Sequence, residues 1–241
     1  MKRKLSIYIK TLIWVTFFAI AMAYLESAVV VYLRELLYPE GFGFPLVTVD
    51  SHIILTEVFR EIATIIMLLG IALISGKNST EKFAWFIYCF GIWDIFYYLF
   101  LKILIGWPES FMTWDVLFLV PVTWVGPVIT PVITSLTMIL LSGYIIYFSS
   151  KNISITIKWR EWVLWIAGSL LLIISWSWDY SKYILKHLSF RELWDITNKE
   201  ALFDIAQDYI PESFNWLLYS AGELIILSGI GLFFLRYRKK I

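Results

Sequence analysis

Six ionisable residues, Glu26, Glu57, Arg60, Glu61, Asp94 and Glu223, stand inside long apolar runs of the chain. If those runs lie in lipid, each ionised side chain costs at least about 2.5 to 3.5 kcal/mol. Carboxylates kept in such a setting bind cations, exchange protons, or act as a protonated acid beside an ionised base. Glu57, Arg60 and Glu61 recur at spacings of three and four, which puts them on about one side of a helix. Gly91 opens space one turn before Asp94, and Tyr97 and Tyr98 offer hydroxyls one turn after it. Tyr219 and Ser220 do the same before Glu223, and Ala19 and Ala23 share the stripe of Glu26, where a neighbouring backbone could approach closely. The residues expected to bind a ligand or exchange protons are therefore Glu26, Glu57, Arg60, Glu61, Asp94, Tyr97, Tyr98, Ser220 and Glu223. Five carboxylates against Arg60 cannot all be ionised in a low-dielectric layer, so protons or a bound cation must complete the balance. The competing reading is an ion-pair and hydrogen-bond network, Arg60 bridging Glu57 or Glu26, that only fixes helix register.

The elements that must carry these residues follow from composition. Of 241 residues, 60% are hydrophobic, 19% aromatic and 16% charged, with a mean hydropathy of +0.75. Too little polar surface remains to cover a globule in water, which excludes disorder, a nucleic-acid binder and an ordinary cytosolic enzyme. A net charge of +1 supplies no overall field for acidic partners, and the single Cys89 allows no intrachain disulfide or Cys-rich metal site. A membrane helix needs roughly 20 apolar residues, and six stretches qualify: 11–33, 53–74, 83–105, 127–148, 160–178 and 213–235. The expected fold is thus all-α, one integral membrane domain over 1–241 built as a six-helix bundle in contact with the lipid bilayer.

Lys and Arg orient it. Lys2, Arg3, Lys4 and Lys10, then Lys77 and Lys82, then Lys151, Lys158 and Arg160, then Arg236, Arg238, Lys239 and Lys240 all fall on one side, which places both termini in the cytoplasm. Glu81 and Glu161 accompany them, whereas Glu35, Glu40, Asp50, Glu109, Asp115 and Asp179 fall on the other side. The N-terminal run resembles a secretory signal, but its apolar stretch continues through Val31, and a retained helix is expected. A rise of about 1.5 Å per residue puts Glu26, Asp94 and Glu223 roughly 10 to 16 Å below the exoplasmic surface, and Glu57 and Glu61 roughly 6 to 12 Å. Antiparallel helices agreeing on one level point to an outward-opening site.

Two segments fall outside the plain spans. Residues 111–126 are too short to cross and end among Pro121, Gly126, Pro127 and Pro131, which predicts a short broken or re-entrant exoplasmic helix, or else an interfacial one. Residues 180–210 carry two capping-box patterns, Ser189 with Glu192 and Thr197 with Glu200, which predict short exoplasmic helices. Leu202, Ile205, Ala206 and Tyr209 then recur at helical spacing. From Lys182 to Glu212 there are four basic and six acidic side chains, a weak preference for cations.

No nucleotide, hydrolase, zinc-protease or di-iron motif occurs. His52 and His187 have no second ligand at helical spacing, which disfavours haem. A metal, if any, would be an oxygen-ligated divalent cation held by Glu57, Glu61, Asp94 and Glu223. The tryptophans cluster near span ends as interfacial anchors, Trp93 beside Asp94 being the exception.

The run Gly91-Ile92-Trp93-Asp94-Ile95-Phe96-Tyr97-Tyr98, followed by Gly106-Trp107-Pro108-Glu109-Ser110 and Trp114-Asp115, resembles a pattern of an uncharacterised family of predicted bacterial multi-pass inner-membrane proteins. The similarity extends from Glu26 to about Pro131. It implies a bacterial inner-membrane setting and brings no activity, ligand or catalytic residue. The functional expectation is an exoplasm-facing intramembrane carboxylate and arginine site that binds or transports a small cation or a proton-coupled small solute. The alternatives are a membrane-embedded enzyme using carboxylate acid-base chemistry or an oxygen-ligated metal, and a non-catalytic assembly subunit.

Overall fold

The computed structural model describes residues 2–47, 50–119, 122–151, 153–188, 205 and 208–239. Six of its helices are long and apolar enough to cross a membrane. In chain order the elements are α1 (Lys2–Leu37), α2 (Ser51–Ser75), α3 (Ser79–Ile105), β1 (Trp114–Phe118), β2 (Trp124–Pro127), α4 (Ile129–Ser150), α5 (Trp159–His187) and α6 (Trp216–Arg238). The fold is compatible with an integral membrane protein in contact with lipid: Trp14, Leu25, Leu36, Ile74, Ile103 and Leu217 all point outward.

Each helix occupies an expected span, and two overrun it. Between Lys2 and Leu37 there is neither glycine nor proline, so α1 continues until Pro39 restricts the residue before it. Its 36 residues measure about 54 Å, well beyond the hydrocarbon thickness. α5 runs on past 178 to His187. There Asp179 is buried and accepts from the Tyr209 hydroxyl at 2.9 Å and the Glu212 amide at 3.1 Å, which ties α5 to the approach to α6. Residues 180–187 are therefore a continuation of α5 rather than the start of separate short helices. The capping patterns at Ser189 and Thr197 lie outside the described residues.

The segment 111–126 departs from expectation. In place of a broken helix it contains an antiparallel strand pair with Trp114 opposite Pro127, Asp115 opposite Gly126 and Val116 opposite Val125, and an irregularity before Phe118 pairs with Trp124. Trp114, Val116 and Phe118 on β1 and Trp124 and Val125 on β2 are strand-favouring types, and Pro127 would remove a helical hydrogen bond, so paired strands suit this backbone better than a helix does.

α3 is the central element and packs on α1, α2 and α4, whereas α5 pairs with α6 and rests on β2. Glycines set both contacts. A Cβ at Gly91 would come within 2.8 Å of the Ser135 carbonyl, so only glycine lets α3 and α4 meet at that level. At Gly168 a Cβ would lie 2.5 Å from Ile226 and 2.7 Å from the Gly222 carbonyl. Gly168→Leu is expected to cost about 1 to 3 kcal/mol by overpacking, whereas Gly231→Leu, with nothing within 4 Å, leaves stability unchanged. Denaturation of the two variants in mixed micelles checks this.

The end away from the hairpin is closed by the acids that accompany the basic clusters. Glu81 accepts from the Tyr8 hydroxyl at 2.7 Å and from the Lys77 amide at 3.1 Å. Glu161 pairs with Arg236 at 2.6 Å.

Candidate functional site

A cavity of about 230 Å³ lies among α1, α2, α3 and β1. It is many times the roughly 30 Å³ that one water occupies in the liquid. Its charged lining is Glu26, Arg34, Glu57, Arg60, Glu61, Asp94 and Asp115, and Tyr38, Tyr97 and Tyr98 add phenols.

α1 contributes Glu26, Val30 and Arg34, spaced by four so that they form one stripe. The neighbouring stripe is small: Ala19 and Ala23 are fully buried, and Ser27 donates to the Tyr97 carbonyl at 3.1 Å, which locks α1 onto α3 beside Glu26. α2 contributes Glu57, Arg60 and Glu61. The Arg60 guanidinium is shared by two acids, giving Nε and Nη2 to Glu57 at 2.8 and 2.7 Å and Nη1 to Glu26. Thr64 donates to the other Glu26 oxygen at 3.2 Å. Both oxygens of Glu61 accept from the Leu119 amide, at 3.0 and 3.1 Å, so α2 anchors the end of β1.

α3 contributes Asp94, whose carboxylate accepts from Ser135 Oγ at 2.7 Å. The close helix approach at Gly91 makes that bond possible. β1 carries Asp115 to the opposite wall, where Arg34 Nη2 lies 3.1 Å away and the Tyr98 hydroxyl donates at 3.2 Å. The Arg34 guanidinium sits in the corner formed by the perpendicular rings of Phe42 and Trp107, 4.1 and 3.7 Å from their centroids. Its Nη1 is buried with no hydrogen-bond partner among the described residues. Burial raises the proton affinity of Asp115 above the usual carboxylate range, opposed by Arg34 and by the Tyr98 hydrogen bond. Burial also raises the Tyr38 phenol, opposed by the Val47 amide, which donates to it, and by Arg34.

Seven of the nine residues expected from sequence line this cavity: Glu26, Glu57, Arg60, Glu61, Asp94, Tyr97 and Tyr98. The other two are elsewhere. Ser220 is exposed on α6. Glu223 is buried against α4, where Thr134 donates at 2.6 Å, Thr137 at 3.0 Å and Tyr219 at 3.4 Å. Thr134 and Ser135 are neighbours, so Glu223 and Asp94 do share a level, but on different sides of α4. The proposed metal set of Glu57, Glu61, Asp94 and Glu223 is therefore not assembled. Among the described residues no three His, Cys, Asp or Glu side chains converge to hold a metal ion.

Arg34 and Asp115 are site residues that sequence reasoning passed over. The spacing of eight from Glu26 to Arg34 was a usable signal. Asp115 reads from sequence as the partner of an interfacial tryptophan, and only the strand pairing turns it inward.

Comparison of the chain with family models, with curated proteins and with solved structures finds no match.

Proposed function

We propose that this chain is an integral membrane protein that binds a small cation, or a solute coupled to protons, in the cavity among α1, α2, α3 and β1, and carries it across the membrane. In this reading both termini are cytoplasmic, the hairpin end faces outward, and the setting is a bacterial inner membrane, as the lysine and arginine distribution and the family resemblance suggest. The observation that carries the proposal is the charge balance of one cavity: five carboxylates face it against two guanidinium groups. Both arginines are engaged by acids, Arg60 by two of them. A formal excess of three negative charges in a low-dielectric wall demands protons or a cationic ligand.

Glu57 and Asp94 bind the ligand or exchange protons, Arg60 holds one carboxylate, Glu26, ionised, and Ser135 aims Asp94. The test is ligand-dependent thermal stabilisation of the purified full chain against sodium, potassium, ammonium, magnesium and calcium, followed by flux in proteoliposomes. Glu57→Gln and Asp94→Asn are each expected to weaken stabilisation and flux at least about tenfold, the loss of one charged contact. Unchanged stabilisation in both variants defeats the proposal.

A further inference from the structure

A second cavity, about 190 Å³, lies at mid-span between α4 and α5, two helices that touch only sparingly and are tied where the Trp176 indole donates to Thr130 Oγ1 at 2.8 Å. Its character is opposite to that of the first: Phe90, Met138, Leu172, Ile173 and Trp176 dominate it, and Asp94, Thr134, Ser135 and Ser169 supply its few polar groups. The two cavities have Trp93, Asp94, Leu117 and Phe118 in common. Asp94 thus stands in the wall where an acidic chamber meets an apolar one. Resting on the cation reading above, we infer that the ligand is an amphiphilic amine: its ammonium group sits at Asp94 in the acidic chamber and its single alkyl chain lies in the α4/α5 cavity.

Three observations converge on that occupant. The acidic lining is complementary to an ammonium group and carries the aromatic faces of Trp93, Tyr97 and Tyr98, which also attract cations. The carboxylates are dispersed around the chamber rather than gathered about one point, and no described trio fits a bare metal ion. A volume of about 190 Å³ equals that of roughly six waters, enough for one short chain and too small for the paired chains of a phospholipid. Ser169 lines this cavity and is exposed, so the tail has a lateral route in from the bilayer on that side of α5.

The test is titration calorimetry of the full chain in phosphatidylcholine nanodiscs, with empty discs subtracted, using the water-soluble series from methylamine to hexylamine. Each added methylene leaves water for the cavity and should tighten binding about three- to fourfold. Ser169 is exposed and lines only the apolar cavity, so Ser169→Trp fills the tail site without touching the acidic one. That variant should bind methylamine as the parent does and lose the dependence on chain length. Met138→Phe is a second filling variant with the same expected result. If methylamine binds and the gain per methylene is absent, or persists unchanged in both variants, the tail site is wrong while the cation reading stands. If methylamine does not bind while sodium, potassium, ammonium, magnesium or calcium still stabilises the full chain and Asp94→Asn weakens that stabilisation, the amine inference fails and the cation reading stands; if no cation of either set binds, both fail.

Discussion

Replacing Arg34 with glutamine is expected to remove about 3 to 5 kcal/mol of stability, the usual cost of leaving the partner of a buried ion pair alone. The side chains of Arg34 and Asp115 are only 9% and 3% exposed, so water cannot compensate for the lost charge. The same guanidinium sits against both Phe42 and Trp107, whose rings are perpendicular, contacts that add about 0.5 to 2 kcal/mol each where desolvated. Arg34→Lys should therefore recover little, because an ammonium group is neither planar nor able to stack while also reaching Asp115. Reversible unfolding in mixed micelles measures all three forms, and a loss below about 1 kcal/mol in Arg34→Gln would show that the pair is not holding β1 to α1. A pH scan separates the acid from its partner. Burial raises Asp115, so the folded chain keeps a proton there that the unfolded chain has already released. The stabilising contribution of that proton is full below the ordinary carboxylate range and is lost as pH rises through the raised value. Asp115→Asn should flatten this part of the profile.

Arg60→Gln is expected to cost about 3 kcal/mol and to be repaired in stages. Two carboxylates share this one guanidinium, Glu57 from the preceding turn and Glu26 from α1. α1 and α2 touch each other only lightly, each packing mainly on α3, so the Arg60–Glu26 contact is the principal tie across the chamber. Without it, two acids face each other with no counter-charge, and the chamber opens or takes up protons. Glu26→Gln combined with Arg60→Gln should restore roughly half of the loss, and the further change Glu57→Gln most of the remainder. The coupling between positions 26 and 60 in a double-mutant cycle should fall at about 1 to 3 kcal/mol. Additive losses would show instead that Arg60 acts through solvent rather than through Glu26.

Much of this arrangement was legible from residue order, for reasons that differ by element. The six helices follow from apolar runs of sufficient length punctuated by Gly and Pro, because a bilayer forces each run to satisfy its backbone internally. The seven cavity residues foreseen on α1, α2 and α3 follow from the cost of placing charge in such runs together with helical spacing, as at Glu57, Arg60 and Glu61. Glu223 satisfied the same rule and still went elsewhere. Depth along a helix is set by sequence, but the rotation of that helix toward one neighbour or another is set by packing, and Gly168, Gly222 and Gly229 turn α6 toward α5.

The amino-acid sequence alone thus determined the number of helices long and apolar enough to cross a membrane and the level along them at which charge stands, since these depend on local hydrophobicity and a fixed rise per residue. Tertiary structure alone decided that 111–126 pairs as strands, that Asp115 meets Arg34, and that Asp94 divides an acidic chamber from an apolar one. Those outcomes arise from contacts between residues as far apart as 34 and 115, and such partners are chosen by how whole helices dock, which no local window records.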